Sequence, residues 1–491
     1  MSSYKEIVKS TGVIAFVKIF TIAFGIIRAK AIALLVGTAG FGYYSIFTGF
    51  SEMFSTFSTL GVDQSGVREI AKSHNSGNEE EIATTRHAIK YTILFAAMIS
   101  CIIAVIFSKW ISEFLFGTDS YYVGIIIVTC GTIFNCVARG QMAVLNGLRQ
   151  INRLAYCQIV GACAGSLGAV FFIYFIGEEG IPWAIFLVAV ALFLSTLYYE
   201  KKNKFIKKNI TLPDYYSEIK KLLGLGLSLS LSGVIATVVA NFSMIFIRKE
   251  LGIDVVGLYQ SSWTISNLYI GTILGAMGVD FLPRLMGIID DRKIVVQKVN
   301  EQVEMGVLLG SIGVLFTFLF APTILQVFYS GEFIDAGSIM RWHCFGIALR
   351  VIAWPLAFVI TAKGQGLIFV CVQAAFHFLE YSFLVLFVKL YGLNGLGINY
   401  LIAYSCYLLM VYFVCRHLVG FSFNRFTKQL ISISFLFLLL GVLTINVFSN
   451  IIGLSVGMGL VLINCVWVNY ILKSRMGIDV FSILKLKFKK I

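Results

Sequence analysis

The chain alternates between long apolar runs and short polar segments. A helix needs about 20 mainly apolar residues to cross a hydrocarbon layer of about 30 Å, because each unpaired backbone group in lipid costs several kcal/mol. Runs of this length predict an all-α integral membrane protein with about fourteen transmembrane helices. The predicted spans cover residues 11–36, 40–62, 88–108, 121–146, 154–176, 181–199, 222–247, 255–279, 304–329, 337–361, 366–389, 396–415, 428–449 and 451–472.

The composition argues against a soluble protein. Of the 491 residues, 58% are hydrophobic and 13% are charged, whereas an ordinary soluble domain has roughly 25% charged residues. The first apolar run carries Lys18, Arg28 and Lys30, and no small-residue cleavage site follows it. It is therefore interpreted as a transmembrane helix and not as a cleavable signal peptide.

The net charge of +14 follows the predicted topology. If both termini are cytoplasmic, most of the 39 Lys and Arg residues fall on the cytoplasmic side, as the positive-inside rule requires. The densest clusters lie at 201–208 and 485–490. We interpret them as topology signals and contacts to lipid headgroups, and expect no nucleic-acid partner.

Neither cysteine nor histidine spacing predicts a metal site. The ten cysteines contain no CxxC pair, and the five histidines form no HExxH motif. Scattered cysteines within apolar runs are typical of small buried residues. No metal and no cofactor are predicted.

Three pairs of short motifs recur at nearly constant spacing. Gln150 and Gln158 correspond to residues 365 and 373, both 215 residues later. The tripeptide at 42–44, Gly-Tyr-Tyr, corresponds at the same offset to Gly-Leu-Tyr at 257–259. The third pair, Gly-Val-Asp at 61–63 and 278–280, differs by 217. Their common order predicts an internal repeat.

The repeat predicts two pseudo-symmetric six-helix lobes that insert in the same direction. Such a parallel repeat places the substrate between two halves. The predicted organisation is an N-terminal lobe at 1–200, a basic cytoplasmic linker at 201–221, a C-terminal lobe at 222–416, two extra helices at 427–472 and a basic cytoplasmic tail at 473–491.

Several motifs carry a resemblance to a known family. The first helix contains Arg28-Ala-Lys30 and is followed by Val-Gly-Thr-Ala-Gly-Phe-Gly-Tyr-Tyr at 36–44. Gly-Val-Asp at 61–63 precedes Arg68-Glu69. With these motifs the chain resembles the Wzx-type polysaccharide or O-antigen flippases of the multidrug/oligosaccharidyl-lipid/polysaccharide (MOP) exporter superfamily. The resemblance covers nearly the whole chain.

The resemblance implies a function, a location and partners. Flippases of this kind move undecaprenyl-diphosphate-linked oligosaccharide from the cytoplasmic to the periplasmic face of the bacterial inner membrane, through a V-shaped cavity between the lobes. The implied partners are this lipid-linked sugar and membrane lipids. The polysaccharide polymerase and the chain-length machinery are further candidate partners.

Cations within the predicted spans suit an anionic cargo. An arginine inside a span costs at least about 2.5–3.5 kcal/mol on insertion scales, so several such cations need a compensating role. Only two acids, Glu52 and Glu380, accompany them in the spans. The intramembrane cations are Lys18, Arg28, Lys30, Arg139, Arg341 and Arg350.

Arg139 and Arg350 are the leading candidates to bind the diphosphate, because a guanidinium fork suits phosphate oxygens. They lie eleven and fifteen residues before Gln150 and Gln365, a difference of about one helical turn. Lys18, Arg28 and Arg341 are further candidates for the same role, whereas Lys30 is closer to the outer headgroups. The alternative is that each cation reaches the membrane interface or a helix-end carbonyl.

The two acids have two interpretations each. His377 and Glu380 are i, i+3 neighbours on one helix and are suited either to carry a proton or to form a static ion pair. Glu52 has the same two interpretations.

Aromatic and amide side chains are candidates for glycan contact. Most aromatic residues of a membrane protein face lipid or form interface belts. A minority that lines a cavity is able to stack on sugar rings. The candidates are Tyr43, Tyr44, Tyr259, Trp263, Asn267, Asn135 and Asn241.

Three other functions remain open. A lipid-linked peptidoglycan-precursor flippase needs the same cationic cavity, and a cation-coupled multidrug exporter would need more acidic residues in its lobes. A membrane polysaccharide polymerase or glycosyltransferase would need a sizeable external loop or a paired-carboxylate motif, which we do not find. The chain has no GxxxxGK[ST] loop for ATP, so the expectation is a transporter and not an enzyme.

Overall fold

A computed structural model describes residues 2–203, 205, 212–448 and 450–477. Within these ranges the regular secondary structure is helical and no strand occurs. Most of the predicted tail and residues 206–211 of the predicted linker lie outside the described residues. The lysines at 207, 208 and 485–490 therefore keep only their sequence-based interpretation.

The chain folds into two compact units, which divide between Gly257 and Leu258; residues 328–330 belong to the first. The first unit contains α1 Ser2–Thr59, α2 Val62–Asn75, α3 Glu79–Ile106, α4 Ser108–Phe116, α5 Tyr122–Gly147, α6 Ile151–Ile176, α7 Gly180–Lys202 and α8 Leu212–Leu251. Its interior includes Ile70, Ile89, Ile93 and Cys136. Because α8 packs against helices of the first unit, the lobe boundary that the sequence places at 201–221 stays a prediction.

The second unit contains most of α9 Ile253–Gly287, followed by α10 Arg292–Leu319, α11 Ala321–Phe328, α12 Ala336–Ala362, α13 Gly366–Tyr391, α14 Leu393–Val419, α15 Arg425–Val447 and α16 Asn450–Met476. Helix α12 lies at its centre and packs against α10 and α14. Val351 of α12 contributes to a continuous apolar core with Val303 and Val411 of the neighbouring helices.

Twelve stretches of the described chain are long and apolar enough to cross a membrane. Two of them, of 43 and 52 residues, are at least twice as long as the roughly 20 residues that one crossing needs. The longer contains α6 and α7, and the shorter is the part of α1 that bends at Gly37. The protein is a multi-pass membrane protein, and the count of fourteen spans stays a prediction.

Several helices extend beyond the predicted apolar spans. Helix α3 begins at Glu79 because Asn78 caps it, its side-chain oxygen accepting from Glu81 N at 3.1 Å. Asp291 caps α10 in the same way. Capping side chains satisfy the first backbone N–H groups outside the apolar region. The polar stretch that begins at Asp63 also contains an unpredicted amphipathic helix, α2.

Unusual backbone conformations recur at the predicted repeat offset. Gly37 and Gly252 both have positive φ and lie 215 residues apart, as do Gly177 and Gly392. The paired glutamines have nearly identical backbones, with φ −82° and ψ 58° at Gln150 and φ −84° and ψ 59° at residue 365. These matches support an internal repeat.

Glycine at 42 and 257 is required by close packing inside the first unit. A Cβ atom on Gly42 would lie 2.3 Å from the carbonyl oxygen of Ile253, and one on Gly257 would lie 2.1 Å from that of Thr38. Any larger residue would push the two backbones apart. The Gly-containing repeat motifs therefore mark a backbone crossing.

Candidate functional site

Arg139 of α5 forms ion pairs with two carboxylates. Its Nη1 lies 3.1 Å from Glu52 Oε1 of α1, and its Nη2 lies 2.9 Å from Asp63 Oδ2 of α2. Nε donates a second bond to Asp63 at 3.0 Å. Asp63 is largely buried, whereas the Glu52 side chain is 57% exposed. Two carboxylates therefore surround one guanidinium, so this site carries its own neutralising charge.

The amides near this site in the first unit bond to neighbouring helices. Asn135 Nδ2 donates to Ser55 Oγ at 3.3 Å, and Asn241 Nδ2 donates to the Gly49 carbonyl at 3.1 Å. A bond of 3.2 Å also joins Ser51 Oγ and Thr132 Oγ1. Both predicted glycan-contact amides thus hold helices together, and their role toward a sugar stays a prediction.

Arg350 of α12 has neutral partners. Its Nη1 donates to Asn267 Oδ1 of α9, and its guanidinium carbon lies 6.0 Å from the Tyr404 ring centre. Tyr400 and Tyr407 are within electrostatic reach of the same guanidinium. No ion pair among the described residues includes Arg350. Its positive charge is therefore solvated by an amide and by aromatic rings.

The three tyrosines around Arg350 form one face of α14. Tyr400 and Tyr404 have ring centres 4.6 Å apart, and Tyr404 and Tyr407 have centres 5.9 Å apart. All three side chains are buried. Residues spaced by four and three lie on one side of a helix, so the sequence already contained this signal. Our sequence analysis did not single them out.

Two predicted glycan contacts pack inside the second unit. The Tyr259 and Trp263 ring centres lie 6.5 Å apart, and both rings stand nearly perpendicular to buried His343. His343 Nδ1 lies 3.2 Å from Ser262 Oγ, and the Trp263 ring centre lies 5.2 Å from that of Tyr400. The aromatic cluster thus supports the helix that carries the Arg350 partners.

His377 and Glu380 contact each other, as their spacing predicts. His377 Nδ1 lies 2.9 Å from Glu380 Oε2, and the two side chains are only 13% and 17% exposed. Tyr404 and Tyr259 are both within electrostatic reach of Glu380. The pair is therefore close to the tyrosine face that surrounds Arg350.

The remaining predicted cations occupy separate places. The Arg28 guanidinium lies 5.7 Å from the Tyr44 ring centre, so these two predicted residues do meet. Lys18 is exposed on α1, and Arg341 is partly buried on α12. Tyr43 packs against Tyr121, with ring centres 4.7 Å apart. The structure does not gather these residues around one atom.

An ionic cluster outside the membrane spans stabilises the end of α8. Lys221 Nζ lies 2.5 Å from Glu69 Oε2 and 3.7 Å from Glu218 Oε2, and Thr85 donates to Glu218 at 2.7 Å. Burial lowers the pKa of Lys221, but the bond to Glu69 and the nearby carboxylates outweigh it and raise that pKa above its usual value. The cluster joins α2, α3 and α8.

Asp63 was expected only as a repeat motif, and its bond to Arg139 could not be read from the sequence. It follows Leu60 and Gly61, whose positive φ values of 51° and 70° turn the chain. That turn points α2 back toward α5. Among the described residues, no group of three His, Cys, Asp or Glu side chains is placed to hold a metal ion.

A family model described as "Polysaccharide biosynthesis protein" matches residues 7–286. The lipid III flippase of Escherichia coli (strain K12) is 22% identical over 388 residues, which cover 78% of this chain and 92% of that protein. A putative O-antigen transporter of Shigella flexneri is 22% identical over 376 residues, which cover 74% and 87%.

Solved structures have the same fold. The lipid II flippase MurJ, in an inward closed conformation, matches with a TM-score of 0.73 at 12% identity, over 96% of this chain and 99% of that one. An inward-facing multidrug resistance MATE family transporter of the MOP superfamily matches with a TM-score of 0.66 at 20% identity, over 81% and 95%.

The relatives are named as flippases and transporters, which agrees with a transport function and not an enzymatic one. The resemblance found in the sequence motifs is thereby confirmed. Because the family match spans more than half of the chain, this protein belongs to the polysaccharide biosynthesis protein family within the MOP exporter superfamily.

Proposed function

We propose that this protein is a flippase for undecaprenyl-diphosphate-linked oligosaccharide. It moves the lipid-linked sugar from the cytoplasmic to the periplasmic leaflet of the bacterial inner membrane by alternating access, with both termini in the cytoplasm. The observation that carries the proposal is Arg350, a guanidinium at membrane depth whose partners are Asn267 and tyrosine rings.

The charge state of the Arg350 site suits a diphosphate. A buried charge is costly unless it is paired, and a bidentate guanidinium–phosphate contact supplies such a pair. Asn267 and Tyr404 orient the guanidinium without neutralising it. An arriving phosphate therefore meets a positive charge that does not first have to be freed from a carboxylate.

Arg139 has a secondary role in this proposal. A phosphate at Arg139 would face the charges of Glu52 and Asp63, and like charges repel at close range. We assign it mainly to holding α1, α2 and α5 together. Lys18, Arg28 and Arg341 remain proposed contacts of the diphosphate along its path, and Tyr43, Tyr44, Tyr259, Trp263, Asn267, Asn135 and Asn241 remain proposed contacts of the glycan.

A peptidoglycan-precursor flippase is the second candidate. Its cargo carries the same diphosphate, and the fold likeness to lipid II flippase MurJ covers nearly the whole of both chains. A site formed by Arg350 would serve both cargoes. The glycan decides between them, so transport assays with both lipid-linked substrates separate the two functions.

The test is translocation of a lipid-linked oligosaccharide by R350Q and R139Q variants at matched expression. Loss of one charge-assisted hydrogen bond costs about 1.5–3 kcal/mol, so R350Q should reduce transport by about tenfold or more, and R139Q by less. R284Q is the matched control, because Arg284 is exposed and pairs with Asp280 one helical turn away. Undiminished transport by R350Q would contradict the proposal.

A further inference from the structure

We infer that the His377–Glu380 pair is a proton-binding element that sets the anion affinity of Arg350 through Tyr404. This inference rests on the proposed function, because it assumes that Arg350 binds the diphosphate. It adds a regulation of that site: proton binding at the pair and anion binding at Arg350 strengthen each other.

The contacts that connect the two sites are short and lie within the second unit. Phe376, next to His377 on α13, has its ring centre 5.0 Å from Tyr404 and 4.8 Å from Tyr407. Tyr404 is within electrostatic reach of both Glu380 and Arg350. One buried tyrosine thus lies between the carboxylate and the guanidinium.

Few other groups near the pair titrate near neutral pH. Tyrosines keep their protons there, and arginine stays charged. His343 is buried behind the aromatic rings, with Ser262 beside its Nδ1. The titratable or charged groups of the described residues around the pair and its tyrosine link are Tyr259 of α9, His343 and Arg350 of α12, and Tyr400, Tyr404 and Tyr407 of α14.

The direction of the coupling follows from charge. With a neutral imidazole and an ionised carboxylate, the pair carries one negative charge that offsets part of the Arg350 field. One proton makes the pair neutral, so the field of Arg350 on an incoming anion becomes stronger. Linkage is reciprocal, so a bound anion must strengthen proton binding at the pair to the same degree.

Binding of farnesyl diphosphate to the purified full-length protein in lipid nanodiscs tests the inference between pH 5.5 and 8.5. Affinity of the wild-type protein should rise by about tenfold on acidification, relative to an E380Q variant. E380Q should bind tightly at every pH, and its residual slope reports the titration of the probe itself. E301Q is the matched control, since Glu301 is an exposed acid paired with Lys298 on α10. Its pH profile should equal that of the wild type.

A second measurement follows protons directly. Addition of the probe to weakly buffered wild-type protein should cause more proton uptake than addition to E380Q or H377Q, with size-exclusion profiles verifying that each variant is folded. Parallel pH profiles and equal uptake in wild type and E380Q would overturn the inference.

An R350Q variant separates the two proposals. Loss of binding in R350Q together with parallel pH profiles in wild type and E380Q would overturn only the proton coupling and leave the proposed site standing. Unchanged binding in R350Q would overturn the proposed site, and the coupling with it.

Discussion

Arg139 and Arg350 lie on corresponding helices of the two units but have partners of opposite kinds. Arg139 binds the carboxylates of Glu52 and Asp63, whereas Arg350 binds the amide of Asn267 and lies against tyrosine rings. Glu52 and Asn267 are 215 residues apart, the offset of the backbone repeat. The repeat has kept a polar partner at this position and changed its charge.

The difference separates a structural role from a binding role. A guanidinium that already pairs with carboxylates ties helices together, and removal of a buried partner is strongly destabilising. A guanidinium solvated by neutral groups keeps its field for a mobile anion. The same residue type therefore serves two purposes, and the partner decides which.

The largest expected effect comes from making the second site resemble the first. N267D would place a carboxylate against Arg350, as Glu52 lies against Arg139. Repulsion between that carboxylate and a diphosphate costs several kcal/mol, so translocation of the lipid-linked sugar should fall by about a hundredfold. N267Q keeps a neutral amide and should stay within about threefold of wild type. Equal transport by N267D and wild type would remove the distinction between the sites.

A smaller effect is expected from opening the first site. D63N removes the buried, doubly bonded partner of Arg139, and should lower the free energy of unfolding by about 2–3 kcal/mol, less than for a fully buried pair. The measurement is thermal unfolding of the purified protein, followed by tryptophan fluorescence. An unchanged melting temperature would show that the Arg139 ion pair is not structural.

The Lys221 cluster gives a further stability test within the first unit. K221M should cost about 1 kcal/mol, because Lys221 is partly exposed and solvent screens its ion pairs. Its raised pKa means that the stabilisation is fully present below the ordinary lysine pKa and is lost as the pH rises through the higher folded value. Melting curves of wild type and K221M should therefore differ at pH 7 and converge at strongly alkaline pH.

The smallest effect sharpens the comparison inside the first site. E52Q removes the exposed partner of the same arginine, and exposed pairs contribute only about 0–1 kcal/mol. Its melting temperature should stay close to that of wild type, in contrast to D63N. A destabilisation as large as that of D63N would mean that exposure does not distinguish the two carboxylates.

Local patterns made much of this arrangement predictable. The apolar run at 337–361 predicted α12, found at Ala336–Ala362, and i, i+3 spacing predicted the contact of His377 with Glu380. Spacing from the paired glutamines placed Arg139 and Arg350 about one turn apart on corresponding helices. Each of these depends only on helix geometry or on the repeat.

The partners of the two arginines were not predictable in the same way. Asp63 reaches Arg139 because of the turn at Leu60 and Gly61, which no apolar pattern encodes. Asn267 was expected to contact glycan, and instead accepts from Arg350. Both contacts join helices far apart in sequence, so only the tertiary fold determines them.

The most direct test of the central claim is a structure of the protein with an isoprenyl-diphosphate-linked sugar bound. The account predicts phosphate oxygens at about 2.7–2.9 Å from the Arg350 guanidinium nitrogens, with the ion pairs of Arg139 intact. Phosphate density at Arg139, with Glu52 displaced and Arg350 still bonded only to Asn267, would contradict it.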